Sequence, residues 1–324
     1  MFAPAGESVD ERFRQSMEYN ALHGYQTIRT FSDLYAVYVF TDCHLAGETG
    51  NLDRFVNDYF GNNDAAPFVI CLGDLVDGDK PFTEFITHTS PIVDAGRKLF
   101  ITAGNHDLYW GRWKEYHNSF GPSTYWFEVV TPNAKDLYIS VESGGGTLGA
   151  RQREWLEEVL STKCSGYRNV IVFTHTHFFM KDTSQGNYPL EETYDLADLF
   201  SRYGVDLVLT GHGHSREQTV FKGVEYVIVD ALKEKTDNAG YAVVNVGKDI
   251  EVSPTSCRFN SQEWRGCVNL NLFPRDENAR GRFPNIAGRP SDVPRATIRS
   301  TFSDVDRNSQ ETISHHTSHK SSIR

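Results

Sequence analysis

The chain has no uninterrupted apolar run near the ~18 residues of a membrane-spanning helix, so its 324 residues predict no transmembrane segment. Its opening stretch, MFAPAGESVDERFRQSMEYN, carries acids and lacks an apolar centre, and does not read as a secretory leader. Cysteine is scarce. The five residues at 43, 71, 164, 257 and 267 are odd in number, scattered and without a CxxC pair, and they read as reduced thiols of a cytoplasmic protein. Positive charge is short as well: 32 Lys+Arg against 43 Asp+Glu give a net charge of −11. A general nucleic-acid binder carries a basic footprint, so nucleic acid is not the expected partner. The deficit is uneven: from Ser253 onward there are 11 Lys+Arg and 7 Asp+Glu, a charge of +4, which leaves −15 on the remainder. No internal repeat is visible.

What the chain does have is apolar material: 39% hydrophobic residues and 13% aromatic, enough for a substantial core. Predicted strands lie at 35–41, 67–73, 98–103, 124–130, 137–141, 169–174, 205–210, 216–221, 224–230 and 241–246. The continuous apolar runs at 68–72, 170–173 and 205–209 suit strands covered on both faces. Between them Leu52, Phe55, Val56, Tyr59 and Phe60 fall at helical spacing, as do Trp155, Leu156, Val159 and Leu160. Strand–helix alternation followed by paired strands predicts an α/β (α+β) layered domain over 34–252, after an N-terminal extension at 1–33. From 253 to 324 the chain is rich in Arg, Pro, Gly and Ser without an apolar period, which predicts a polar, largely disordered tail. Within it Trp264, Leu270 and Phe273 could dock on the body, and SHHTSH could bind a metal or stay solvated.

Five of the predicted strands end in polar clusters. The first runs into TDCH, where Asp42 and His44, two residues apart, are expected to share one face of an extended strand while Cys43 packs inward. Two such side chains could hold a metal or an ion-paired water, or cap a strand in solvent. GDLVDG supplies Asp74 and Asp77, GNHD supplies Asn105, His106 and Asp107, THTH supplies His175 and His177, and GHGH supplies His212 and His214. Each follows an apolar run and lies where a layered α/β fold opens its functional rim. GDxxD alone could be a turn with a helix cap, and GNHD alone a loop. Mixed carboxylate, amide and imidazole donors suit Mn, Fe or Zn rather than Ca or Mg. The glycine inside GHGH is expected to turn the backbone so that the two imidazoles face different ions.

DxH, GDxxD, GNHD, a histidine after an apolar strand, and GHxH, in this order over roughly residues 35–250, resemble the calcineurin-like metallophosphoesterases. The resemblance implies a four-layer sandwich of two mixed β-sheets flanked by helices, with two divalent metal ions between them. It implies that Asp42, His44, Asp74 and His214 hold one metal, that Asp74, Asn105, His175 and His212 hold the other, and that Asp74 bridges. A hydroxide between the metals would then attack phosphorus in line, and the cations would give an acidic protein a locally positive well for phosphate. His106 would stabilise or protonate the leaving oxygen, with Asp77 orienting its ring and raising its pKa. Asp107 is expected to cap the following helix.

Two departures stand out. Thr176 and His177 occupy positions where many relatives have another His or a small residue and then Pro, and His177 could touch substrate phosphate or support the ligands from behind. Asp77 stands where purple acid phosphatases have Tyr, which argues against a ferric–tyrosinate. Tyr109, Trp110 and Trp113 could stack a nucleobase or pack the next helix, and the polar segment 181–194 reads as a substrate lid. The expected substrates are small phosphomonoesters or phosphodiesters, including cyclic nucleotides. A nuclease or a non-catalytic interaction scaffold of the same fold is the alternative.

Overall fold

Successive residues of the strand at Tyr35–Phe40 bury against different neighbours. Tyr35, Val37 and Val39 join one apolar cluster with Phe68, Ile70, Phe127, Ile171 and Leu207. Ala36, Tyr38 and Phe40 join another with Leu52, Phe55 and Tyr59. Further along, Ile171 and Phe173 share the first cluster, while Val170 and Val172 pack with Leu156, Leu160, Leu196 and Phe200. Burial on both faces is why these runs are continuously apolar rather than alternating. Each such large side chain contributes roughly 1.5–3 kcal/mol when fully buried.

The computed structural model describes residues 6–62, 66–180 and 188–253. In chain order the elements are α1 (Val9–His23), β1 (Gln26–Arg29), β2 (Tyr35–Phe40), α2 (Gly50–Asn62), β3 (Phe68–Cys71), α3 (Thr83–Asp94), β4 (Lys98–Ile101), α4 (Asn105–Leu108), α5 (Trp113–Phe120), β5 (Tyr125–Val130), β6 (Lys135–Ser140), α6 (Gly149–Lys163), β7 (Asn169–Phe173), α7 (Leu190–Tyr203), β8 (Leu207–Thr210), β9 (Glu217–Phe221), β10 (Val224–Ile228), β11 (Ala242–Val246) and β12 (Ile250–Val252). One sheet runs β1-β5-β6-β7-β8-β10-β9 and the other β12-β11-β2-β3-β4. Both are mixed: β2, β3 and β4 are parallel to one another, as are β6, β7 and β8, whereas β11 and β9 run antiparallel to β2 and β10. The sheets face each other across the first cluster, with α2, α3 and α5 outside one and α6 and α7 outside the other. The expected four-layer sandwich is the observed architecture.

The segment ahead of residue 34, expected as an extension, contributes to the fold. β1 adds a parallel edge strand to β5, with Gln26 opposite Phe127. The buried residues of α1 are Arg12, Ser16 and Asn20. Arg12 Nε meets Glu142 Oε2 at 2.8 Å with both side chains 2% exposed, and Asn20 donates to the Thr124 carbonyl at 2.9 Å. A polar stripe at i, i+4 and i+8 is invisible to a search for apolar periodicity.

The end of the expected lid segment, from Leu190 on, is helical. Leu190–Tyr194 opens α7, where Glu192 accepts from Thr147 Oγ1 at 2.6 Å and from the Leu148 N–H at 2.9 Å. Residues 181–187 and the tail from 254 on, with Cys257, Cys267, Trp264, Leu270, Phe273 and SHHTSH, lie outside the described residues. Cys43 and Cys71 are buried free thiols, and Cys164 is buried as well. Among the described residues no helix is long and apolar enough to cross a membrane.

Candidate metal centre

The polar clusters follow the C-terminal ends of β2, β3, β4, β7 and β8, on the rim where the two sheets open. The local backbone differs from the expected extended strand. β2 stops at Phe40, and Asp42 and His44 lie beyond it with φ of 51° and 43°. Asp74, His212 and His214 are left-handed too, at 54°, 64° and 55°. Non-glycine residues in this region cost about 1–2 kcal/mol each, and such strain gathers at functional sites. Asp42 and His44 therefore converge because the chain kinks at both, not because they share a strand face. Cys43, between them, is 1% exposed in the core, as expected.

In GHGH it is likewise the histidines that turn. A Cβ on Gly213 would come within 3.1 Å of Ile228 Cγ2, so this glycine makes room rather than supplying the bend. Gly73, with φ of 96°, lies so close to the Gly104 backbone that a side chain at either would strike the facing loop. The glycines of GDLVD and GNHD thus bring two strand ends together beneath the cluster.

Backbone bonds extend the pairing past the strands: the Asp42 N–H reaches the Gly73 carbonyl at 2.9 Å and the His44 N–H reaches that of Asp74 at 3.0 Å. Each of the two central carboxylates spends one oxygen on the backbone and turns the other inward. Asp42 Oδ2 accepts the His212 N–H at 2.8 Å, from the opposite sheet, while Oδ1 lies 3.2 Å from His214 Nε2 and 3.6 Å from His44 Nε2. Asp74 Oδ1 accepts the His106 N–H at 2.8 Å, while Oδ2 lies 3.5 Å from His44 Nε2 and 3.4 Å from His175 Nε2. His175 is fixed through Nδ1, 2.7 Å from the Leu72 carbonyl, so that Nε2 faces Asn105 Oδ1 at 3.0 Å and His212 Nδ1 at 3.2 Å. His44 and His214 oppose their Nε2 atoms at 3.1 Å.

Seven expected residues (Asp42, His44, Asp74, Asn105, His175, His212 and His214) thus meet in one place. Among the described residues three groups are each compact enough to hold a metal ion: Asp42 with His44 and His214, Asp74 with His175 and His212, and His44 with Asp77 and His106. The donors fit a metal pair. Asp42 Oδ1 is buried without a hydrogen bond among the described residues, and ring nitrogens facing one another at 3.1–3.2 Å gain most from a shared cation.

The carboxylates and imidazoles of this pocket act on one another's charge. Burial would raise the Asp42 carboxyl, but His214 and His44 outweigh it and hold it well below the usual carboxylate range. Asp74 is likewise depressed against burial, chiefly by His175. Burial opposes a charged His175, yet the Asp74 and Asp42 carboxylates push it up to about 10. His212, buried beside that cation, falls to about 3.

His106 Nδ1 lies 3.0 Å from Asp77 Oδ1, which is the expected pairing. The expected rise in its pKa is reversed: burial lowers it, and the pull of Asp74 and Asp77 does not make up the difference. Asp107 does more than cap a helix. Its carboxylate accepts the N–H groups of Gly104 at 2.8 Å, Asp74 at 2.8 Å and Leu75 at 3.0 Å, tying two strand ends together. Burial and the Asp74 charge push it up to about 7. His177 is 1% exposed and stacks 5.6 Å from the His212 ring, and neither of its nitrogens has a hydrogen-bond partner among the described residues. Trp113 is wholly buried in the core and Trp110 is 61% exposed, so the two tryptophans part company. Tyr109 is the residue whose part the sequence did not reveal: its hydroxyl accepts from Asn105 Nδ2 at 2.7 Å. The i, i+4 spacing from Asn105 was the available signal.

Among known proteins, two named serine/threonine-protein phosphatase CPPED1 are similar to this chain. The Rattus norvegicus protein is 28% identical over 187 residues, 51% of this chain and 58% of its own length. The Bos taurus protein is 27% identical over 205 residues, 55% and 63% respectively. The chain therefore spans less than two thirds of the length of either relative. In fold it is similar to a dimetal phosphatase from Danio rerio, with a TM-score of 0.51 and 12% identity over 68% of this chain and 95% of that one. It is also similar to purple acid phosphatase PPD1 from yellow lupin, with a TM-score of 0.52 and 15% identity over 68% and 51%. The family model described as calcineurin-like phosphoesterase matches residues 35–216, from the start of β2 to just past His214. That match takes in more than half of the chain and every one of the strand ends that meet at the cluster, so this protein belongs to the calcineurin-like phosphoesterase family.

Proposed function

We propose that the protein is a dinuclear-metal-dependent phosphoesterase that hydrolyses phosphomonoesters or phosphodiesters, nucleotides and cyclic nucleotides among them. The observation that carries this reading is the position of Asp74 Oδ2, nearly equidistant from His44 Nε2 at 3.5 Å and His175 Nε2 at 3.4 Å. A single carboxylate oxygen between two donor sets is what a bridging ligand requires. On this reading Asp42, His44, Asp74 and His214 hold one ion, and Asp74, Asn105, His175 and His212 hold the other. Two such ions, of Mn, Fe or Zn, would supply Lewis acidity to phosphate oxygens and an activated water.

The chain's own residues do the rest. Bonds from the His212 and His106 N–H groups fix the two carboxylates, so the donors need little rearrangement to bind. His106 is 27% exposed beside the cluster and 4.4 Å from the His44 ring, and on this reading it serves the leaving oxygen. With Nδ1 turned to Asp77, only the protonated ring can donate from Nε2, and the lowered pKa makes that proton easier to give up. Asp77 holds the ring by its far nitrogen.

The test is elemental analysis of the purified protein together with hydrolysis of a panel of phosphate esters in the presence of Mn. The panel includes p-nitrophenyl phosphate, its bis ester, nucleotides and, because of the relatives' description, phosphoserine peptides. Two bound metals and hydrolysis of at least one ester are expected. A protein that binds no metal and cleaves none is instead an interaction scaffold.

A further inference from the structure

An asparagine that ligates a metal must turn its amide oxygen inward and its NH2 away. The two ends are nearly the same size, so hydrogen bonding decides between them. Asn105 is 4% exposed, and its Oδ1 faces His175 Nε2 at 3.0 Å. The outward Nδ2 donates to Tyr109 Oη at 2.7 Å. The backbone is shaped to make that contact. α4 ends at Leu108, Tyr109 leaves the helix with ψ of 149°, and Trp110 bends back in the left-handed region at φ 58°. Gly111 follows with φ of 72°. This turn keeps the Tyr109 ring over the start of the helix, 4.9 Å from the His106 ring, instead of letting it follow α5.

We infer that Tyr109 is a positioning residue of the metal centre: by accepting the outward N–H of Asn105, its hydroxyl fixes the amide oxygen toward the ion shared with His175 and His212. Without the hydroxyl a buried amide N–H loses its acceptor, and the amide can rotate away from the ligating pose. Outer partners of metal ligands typically matter about 10–100-fold in affinity.

The inference rests on the two-metal reading, and the experiment separates them. The full chain is stripped of metal and titrated calorimetrically with Mn, as wild type, Tyr109→Phe, Asn105→Ala and the double variant. Phenylalanine keeps the ring and its contact with His106. Tyr109→Phe should weaken one of the two sites about 10-fold and leave the other unchanged. In the Asn105→Ala background the same substitution should have no further effect, a coupling that general destabilisation would not produce. Wild-type affinity at both sites in Tyr109→Phe, or an equal loss with and without Asn105, overturns the inference. A wild-type protein that takes up fewer than two Mn ions overturns the two-metal reading itself, and the inference with it.

Discussion

On the two-metal reading His106 sits beside both donor sets and belongs to neither, so its role should be separable from metal binding. If it serves the leaving oxygen, its value depends on how poorly that oxygen carries charge. A p-nitrophenolate departs readily, whereas an alkoxide of pKa ~15 does not, and general-acid help is typically worth ~10²–10⁴-fold. His106→Ala should therefore lose far more activity on an alkyl or nucleoside phosphate than on the p-nitrophenyl ester, with both metals retained. Equal losses with full metal content would assign His106 to ground-state phosphate binding. At this scale the sequence was most legible, because ligand chemistry resides in side chains: Asp42, His44, Asp74, Asn105, His175, His212 and His214 were all named from motif order and do converge. What stayed hidden was backbone. Nothing in the letters D, H and H announces a left-handed φ, and the environment that lowers His106 rather than raising it is made by burial.

Among the elements, the twice-buried strands were readable as continuous apolar runs, and β2, β3, β7 and β8 formed where predicted within a few residues. β1 and α1 were not, because an edge strand exposed on most positions and a helix buried through Arg12, Ser16 and Asn20 carry no apolar signature. The contacts that join one strand end to the next are equally silent in sequence. Asp107 makes three of them, and both of its oxygens are needed: Oδ2 for Gly104 and Asp74, Oδ1 for Leu75. Asp107→Asn replaces one acceptor with an NH2 that faces a donor, and leaving a buried N–H unpaired costs about 1–3 kcal/mol. The urea midpoint of this variant should fall accordingly. An unchanged midpoint would mean that the loops after β3 and β4 hold each other without it.

For the molecule as a whole, the cluster should shape stability against pH once metal is removed. In the metal-free protein His175 is raised to about 10, so its contribution is complete below the ordinary histidine value of ~6.5 and is lost as pH climbs toward 10. Asp107, raised to about 7, tilts the curve the same way at lower pH. Asp42 and Asp74 are depressed, so their contribution is present above ~3.9 and disappears as the solution is acidified. His212, held down to about 3, tilts the curve the opposite way up to ~6.5 and offsets Asp107, so the melting temperature of chelated protein should peak between about pH 4 and 6.5 and decline on both sides. His175→Gln should flatten the part of the alkaline decline above ~6.5. An alkaline limb identical in wild type and variant would show that His175 carries no such proton.

The left-handed aspartates and histidines set up a conflict between two kinds of selection. At Asp42, His44, Asp74, His212 and His214 the chain would relax if a glycine, or in places an asparagine, stood there instead. A mutant library sorted for heat resistance alone should therefore enrich substitutions at these very positions, and the survivors would be sturdier proteins that turn nothing over. The same library sorted for turnover should keep all five and gather its stabilising changes elsewhere, on the outer helices.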